Sequence, residues 1–287
     1  MAAIINTNLL SLNAQRNTSS SQNSLATSLQ RLSSGLRVNS AKDDAAGLAI
    51  AERLNAQVRG GNVAIRNAND GISLAQTAEG ALAKVSDSLQ RMRELAVQAR
   101  NATNTNADKD SLDKEFGELA KEIQRVLGGT TFNGRAILAG NSGTQTFQVG
   151  ANTTSNDRID VVTTDMTASA DITAVAGTDN TGAGRAVIDN TAVGATIDTV
   201  IANIDTAVNT VSSERATLGA SQNRFDQVIS NLQISVENES AARSRITDAD
   251  FAIETASLSR ANILQQAGNA MIAQANQIPS QVLSLLR

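Results

Sequence analysis

Ile197, Ile204, Val211, Leu218, Phe225 and Leu232 stand seven residues apart without a gap. A companion row runs beside them, Ile201, Val208, Arg215, Gln222, Ile229 and Val236, polar only at its middle two positions. A double apolar row of this period commits a chain to helices lying side by side, because the stripe needs a partner along its whole length. At about 1.5 Å per residue, a helix over residues 196–240 spans roughly 65–70 Å. Such a helix is not stable alone. Each apolar side chain that it buries fully contributes about 1.5–3 kcal/mol, so stripes of comparable length must face it. Arg215 and Gln222 either fix the register of that packing or lie at the edge of the bundle.

The partner stripes are present earlier in the chain. Val58, Ile65 and Ile72 begin one, and Leu82, Val85, Leu89, Met92 and Ala96 continue it, with a break or kink expected at Gly60–Gly61. A shorter helix is expected over about 108–127, where Leu112, Phe116, Leu119, Ile123 and Val126 alternate at spacings of four and three before Gly128–Gly129 stops it. Nearer the start, Leu25, Leu29, Leu32 and Leu36 repeat in the same rhythm. Gly35 and the sequence NSAKDD at 39–44 mark a stop and a restart there, with Ser40 and Asp43 as candidate caps. The last segment repeats the pattern with Leu264, Met271, Ala275, Ile278, Val282 and Leu285. Between 131 and 195 the helical period disappears. Phe147 and Val149, then Ile159 and Val161, alternate with polar residues around the turn-rich NTTSND at 152–157, which predicts a β-hairpin. Residues 166–190 are expected to be exposed loop or short strand.

Composition narrows the chemistry. The chain of 287 residues has no His, Cys, Trp or Tyr and carries a net charge of −4. Catalytic triads built on His, zinc sites built on His or Cys, and disulfides are thereby excluded. An acidic chain almost without aromatic residues is a poor nucleic-acid binder. Its apolar runs, such as AAGLAIA at 45–51, fall far short of the roughly 20 residues a membrane span needs. The aspartates at 43–44 and at 248 and 250 read as caps and helix-end charges, because nothing adjacent supplies a further ligand or a nucleophile. No catalytic residue, metal ligand or cofactor is expected. The chain ends are nearly free of charge and clothed in Asn, Gln, Ser and Ala. A solvated helix normally shows a charged face, so these ends are expected to be covered by other copies of the chain.

The motifs at both ends resemble those of bacterial flagellins. On the N-terminal side they are IINTN at 4–8, LQRLSSGLRVNSAKDDAAGLAIAERL at 29–54, RNANDGISLAQTAEGAL at 66–82 and LQRMRELAVQA at 89–99. On the C-terminal side they are LGASQNRF at 218–225, ESAARSRITDADFA at 239–252, ILQQAG at 263–268, AQANQ at 273–277 and VLSLLR at 282–287. The resemblance covers about residues 1–140 and 196–287.

It implies a mainly α fold: a long antiparallel helical bundle or coiled-coil rod formed by the N- and C-terminal segments, with a small central region containing the β-hairpin. Residues 1–43 and 248–287 would form the coiled coil of the inner filament core, and residues 44–140 and 196–247 the outer core bundle. Residues 141–195 would be the short, variable, exposed surface. The function implied is that of a structural subunit that polymerises into the extracellular flagellar filament and is not an enzyme; the alternative is a flagellin-like protein of the hook–filament junction. Implied partners are other flagellin subunits, the filament cap and hook-associated junction proteins, an export chaperone and the type III export apparatus, without nucleic acid or membrane insertion. Zinc-protease insertions known in some flagellins need an H-E-x-x-H motif, and a chain without His cannot carry one.

Leu25, Leu29, Leu32, Leu36, Leu264, Met271, Ile278, Val282 and Leu285 are the expected filament-core packing residues. By the same resemblance, Leu89, Gln90, Arg91, Leu95, Glu115 and Ile204 match a motif recognised by host Toll-like receptor 5. On the residues alone, Arg91 and Glu115 would read as an ordinary surface ion pair.

Overall fold

The computed structural model describes residues 7–284, and their side chains as far as 277. Its helices are α1 (Leu9–Ser34), α2 (Ala45–Ala99), α3 (Asn106–Gly129), α4 (Ala170–Ala176), α5 (Gly194–Thr247) and α6 (Phe251–Ser284). Its strands are β1 (Thr131–Phe132), β2 (Arg135–Ala136), β3 (Gly143–Gln148) and β4 (Arg158–Thr163). The chain divides into two compact units, Arg59–Val236 and Met1–Val58 with Glu237–Arg287, and α2 and α5 each contribute to both. The fold is mainly α, as the sequence leads one to expect, with two small antiparallel strand pairs, of which the sequence reading expected one.

In the Arg59–Val236 unit the seven-residue row is the core. Ile197, Ile204, Val211, Leu218 and Phe225 are all fully buried, packed with Leu82, Leu89, Met92 and Leu95 of α2 and Phe116, Ile123 and Leu127 of α3. The companion row is only half buried. Ion pairs give the direction of packing: Arg100 meets Asp198 at 2.8 Å, Arg93 meets Asp205 at 2.6 Å, and Glu79 meets Arg215 at 2.9 Å, so α2 and α5 run antiparallel. Arg215 therefore sits half-exposed at the bundle edge, paired across it.

The break expected at Gly60–Gly61 does not occur, since α2 is one continuous helix. These glycines serve close approach instead. A Cβ built on Gly60 would lie 2.7 Å from the Ala151 Cβ, and one on Gly61 would lie 2.7 Å from Val236 Cγ2. Gly71 is tighter still, with its would-be Cβ 2.6 Å from Cζ of the buried Phe225 ring. Gly71→Ala should therefore lower stability by about 1–3 kcal/mol through overpacking, against a helix-propensity gain of about 0.5–1 kcal/mol. Thermal unfolding followed by far-ultraviolet circular dichroism checks the sign; an unchanged or raised midpoint would show that the ring yields freely.

The hairpin forms as expected. β3 and β4 pair antiparallel with Phe147 opposite Ile159, and Phe147 meets Phe225 edge to face at a centroid distance of 5.6 Å. A second, smaller hairpin joins β1 and β2 through Asn133–Gly134, both at positive φ, which is the turn geometry that Asn-Gly favours.

Residues 166–190 correct the sequence reading. They are not exposed loop: they contain α4, and Met166, Ile172, Val175 and Ile188 are fully buried. Polar groups on one side of α3 hold the segment down. The Asp113 carboxylate accepts from the Arg185 guanidinium through both oxygens and from the Ile188 N–H at 2.9 Å. Asp110 accepts from the Asn190 N–H at 3.0 Å, and the Gln124 amide donates to the Gly177 carbonyl. Gly117 leaves room for the guanidinium, which a Cβ there would meet at 3.1 Å.

In the unit of Met1–Val58 and Glu237–Arg287, α1 lies antiparallel against α6, with Asn8 near Ala275 and Arg31 near Glu254. Gly35, at φ +71°, ends α1 in the left-handed cap. Beyond it Leu36 forms an antiparallel bridge with Asp248, and the Ala249 N–H donates to the Gly35 carbonyl at 2.9 Å.

Candidate functional site

The face on which α1 meets α6 is built from small residues. Ser11, Thr18 and Ser28 are buried on α1, and Ala261 and Ala275 on α6. A Cβ on Gly268 would lie 2.4 Å from Thr18 Oγ1, so the two backbones approach as closely as glycine permits. Polar ties seal the seam: the Asn8 amide donates to the Ala275 carbonyl, and the Ser11 hydroxyl to the Asn276 side-chain oxygen, each at 2.8 Å.

With the seam given to small residues, the large apolar side chains are left outside. Leu9, Leu12, Leu29, Ile253, Ile263, Leu264 and Met271 are each at least 50% exposed. Leu10, Ala14, Thr18, Leu264, Gly268 and Met271 line an apolar groove of about 410 Å³ along the pair. Scattered single leucines on a surface need no explanation, but a continuous apolar surface marks an interaction site. Of the residues expected to pack the filament core, Leu29, Leu264 and Met271 are exposed on this pair, while Leu25, Leu32 and Leu36 are partly buried in it. The Ile278 and Val282 side chains and Leu285 lie outside the described residues. No helix among the described residues is long and apolar enough to cross a membrane.

A second surface lies on α2 and α3. The Arg91 guanidinium bonds Glu115 at 2.9 Å and Glu94 at 2.8 Å, with Arg91 and Glu115 about half exposed and Glu94 more so. The hydrogen bonds with Glu115, and after it Glu94, hold that guanidinium more firmly protonated than a free one. Gln90 is exposed beside it. Leu89, Leu95 and Ile204, which the sequence reading grouped with these residues, are buried in the core beneath that face and support the helices that display Gln90, Arg91 and Glu115.

The terminal aspartates are local structure. Of the aspartates and the serine read as candidate caps here, Asp44 caps α2 by accepting from the Gly47 N–H at 2.8 Å. Asp43 closes the preceding turn on Ser40, whose hydroxyl and N–H hold its carboxyl below the usual range. Asp250 caps α6 through the Ala252 N–H. Among the described residues no group of three acidic side chains could hold a metal ion.

Two family models match the chain, the bacterial flagellin N-terminal helical region over residues 5–143 and the bacterial flagellin C-terminal helical region over residues 201–286. A flagellin of Halalkalibacterium halodurans is 48% identical over 284 residues, covering 99% of this chain and 100% of the relative. A flagellin of Bacillus subtilis is 43% identical over 306 residues, covering 99% of each. Among solved structures, that of Bacillus cereus flagellin aligns with a TM-score of 0.48 at 34% identity, covering 58% of this chain and 88% of that one.

Proposed function

We propose a function for this chain on one premise: it belongs to the bacterial flagellin family. It is a structural protein and not an enzyme, and its family makes it a subunit of the flagellar filament. The finer reading is that monomers polymerise by burying the α1–α6 pair among copies of itself. One observation carries it: the pair spends its small residues on its own seam and turns leucine, isoleucine and methionine outward. Nothing among the described residues gives those side chains a dry environment, and an assembly of identical subunits does.

Residues 1–43 and 248–287 form the inner core in this reading, residues 44–140 and 196–247 the outer core, and residues 141–195 the outer surface. Leu25, Leu29, Leu32, Leu36, Leu264, Met271, Ile278, Val282 and Leu285 supply the inner packing. The subunit leaves the cell through the type III export apparatus with an export chaperone and joins the filament between the junction proteins and the cap. Seeded polymerisation of purified monomer, followed by electron microscopy, tests this beside a chain lacking residues 254–287. Filaments from the full chain and none from the truncated chain are expected. A full chain that stays monomeric on competent seeds would overturn the reading and favour a junction protein.

The second surface favours recognition of the monomer by Toll-like receptor 5, because Arg91 and Glu115 form an exposed, oriented charge pair beside Gln90. Arg91→Ala should weaken receptor binding by roughly tenfold or more, the range of an arginine anchor at an interface. It should leave the melting temperature nearly unchanged, since an exposed pair contributes little to stability. Surface plasmon resonance with the receptor ectodomain decides; wild-type affinity in the variant would remove Arg91 from the contact.

A further inference from the structure

The seam between α1 and α6 does not by itself choose how the two helices align. Ala261, Gly268 and Ala275 recur every seven residues, and Ser11 and Thr18 face them at the same spacing. A slide of one heptad that set Ser11 against Gly268 and Thr18 against Ala261 would keep small residues opposite small ones. Packing alone therefore discriminates weakly between the two alignments. The backbone bridge beyond Gly35 ties the chain at one end; Arg37 and Asp248 there are exposed and can exchange bonds for water, whereas Val38 is buried.

Along the helices themselves, and apart from that bridge, one side-chain contact finds no replacement after the slide. Glu254 is the lone acid on either helix and is 8% exposed, and it meets Arg31 at 3.0 Å. After a slide of seven it would lie beside Leu25, a carboxylate without its cation in a nearly dry seam. The pair is also imperfectly satisfied where it stands, since Arg31 Nε is buried without a partner. A pair of that kind adds little stability over an apolar isostere, and its best-attested use is to fix register.

We propose that Arg31 and Glu254 set the register of α1 on α6, and so define which apolar side chains the helix pair presents to neighbouring copies. The proposal rests on the filament reading for its consequence, but its test is within one chain.

The absence of native cysteine makes that test clean. The variant S11C/N276C reports the observed register, because these side chains already touch at 2.8 Å. The variant S11C/N269C reports the register slipped by one heptad. Both pairs are placed in the full-length chain with its native charges, with Glu254→Gln, with Arg31→Met, and with the swap R31E/E254R. Intrachain disulfides are then quantified after polymerisation and oxidation. In the native background the S11C/N276C crosslink should dominate. Glu254→Gln and Arg31→Met should each raise the slipped-to-native ratio roughly tenfold, which corresponds to about 1.4 kcal/mol, and the swap should restore the native ratio. Ratios unmoved by either neutral variant, or a swap that behaves like them, would overturn the proposal. Failure of the native chain to polymerise would instead overturn the filament reading, and the crosslink ratio is then read on the monomer.

Discussion

Leu264→Asp with Met271→Asp should abolish filament formation while leaving the Arg59–Val236 unit folded. Both side chains line the apolar groove on the α1–α6 pair and are more than half exposed there, so the free monomer loses only a minor part of its packing. In an assembly that buries them, each loses about 1.5–3 kcal/mol of apolar burial. Each also brings a carboxylate into a seam without a cation, which adds a desolvation cost of at least similar size. Two such sites together exceed about 4 kcal/mol, roughly a thousandfold in subunit affinity. The expected result is no sedimentable polymer on competent seeds, with circular dichroism and melting temperature matching the parent chain. Asn152→Asp with Thr153→Asp, the same two added charges in the exposed turn between β3 and β4, should polymerise normally and controls for net charge. Normal filaments from the double variant would show that this groove stays open in the assembly.

How much of this was legible in the sequence differs by element. The α5 row could be read outright, because apolar residues every seven positions have one geometric solution, and Ile197 to Phe225 indeed form the buried core. The β3–β4 hairpin was equally legible, since Phe147 and Ile159 alternate with polar residues across a turn and end as a cross-strand pair. The α1–α6 seam itself was not legible, for a physical reason. Period analysis follows large apolar residues, so Leu25 and Leu29 stood out, whereas the contact belongs to Ser11, Thr18 and Gly268. Their spacing of seven becomes a signal only when small size, rather than hydrophobicity, is what is counted. The β1–β2 hairpin had a clear marker in Asn133–Gly134 that went unused. Burial of Leu89, Leu95 and Ile204 was implicit in their own stripes, since each stands in an apolar row of helical period. The clamp on residues 177–190 had no local signature at all, because Asp113 and Arg185 lie far apart in the chain and neither belongs to a pattern.

That clamp supports the largest stability effect expected from one polar residue. Asp113 is nearly buried, and burial alone would push its carboxyl up. The Arg185 guanidinium and the Ile188 N–H outweigh this and hold it below the usual carboxylate range. A carboxyl depressed by folding stabilises the native state at pH values above its unfolded pKa of about 3.9, and that contribution is lost as pH falls through the depressed native value. Removing it leaves the buried Ile188 N–H without an acceptor and the partly buried guanidinium with the Ala186 carbonyl but no counter-charge bonded to it. Asp113→Ala should therefore cost about 3–5 kcal/mol, the range for breaking one side of a buried pair. For a domain of this size the midpoint should fall by about 2–4 °C for each kcal/mol. Asp113→Asn keeps the shape but not the charge and should lose nearly as much. The double variant D113L/R185M should recover part of the loss, because removing both charges together is far less costly than orphaning one. The pH dependence separates this electrostatic account from simple loss of packing. The gap in stability between the parent and Asp113→Asn should be constant near neutrality and should shrink below about pH 4 as the parent carboxyl protonates. Urea titrations at pH 7 and pH 3 measure both values; a gap that does not narrow in acid would assign the loss to shape rather than to charge.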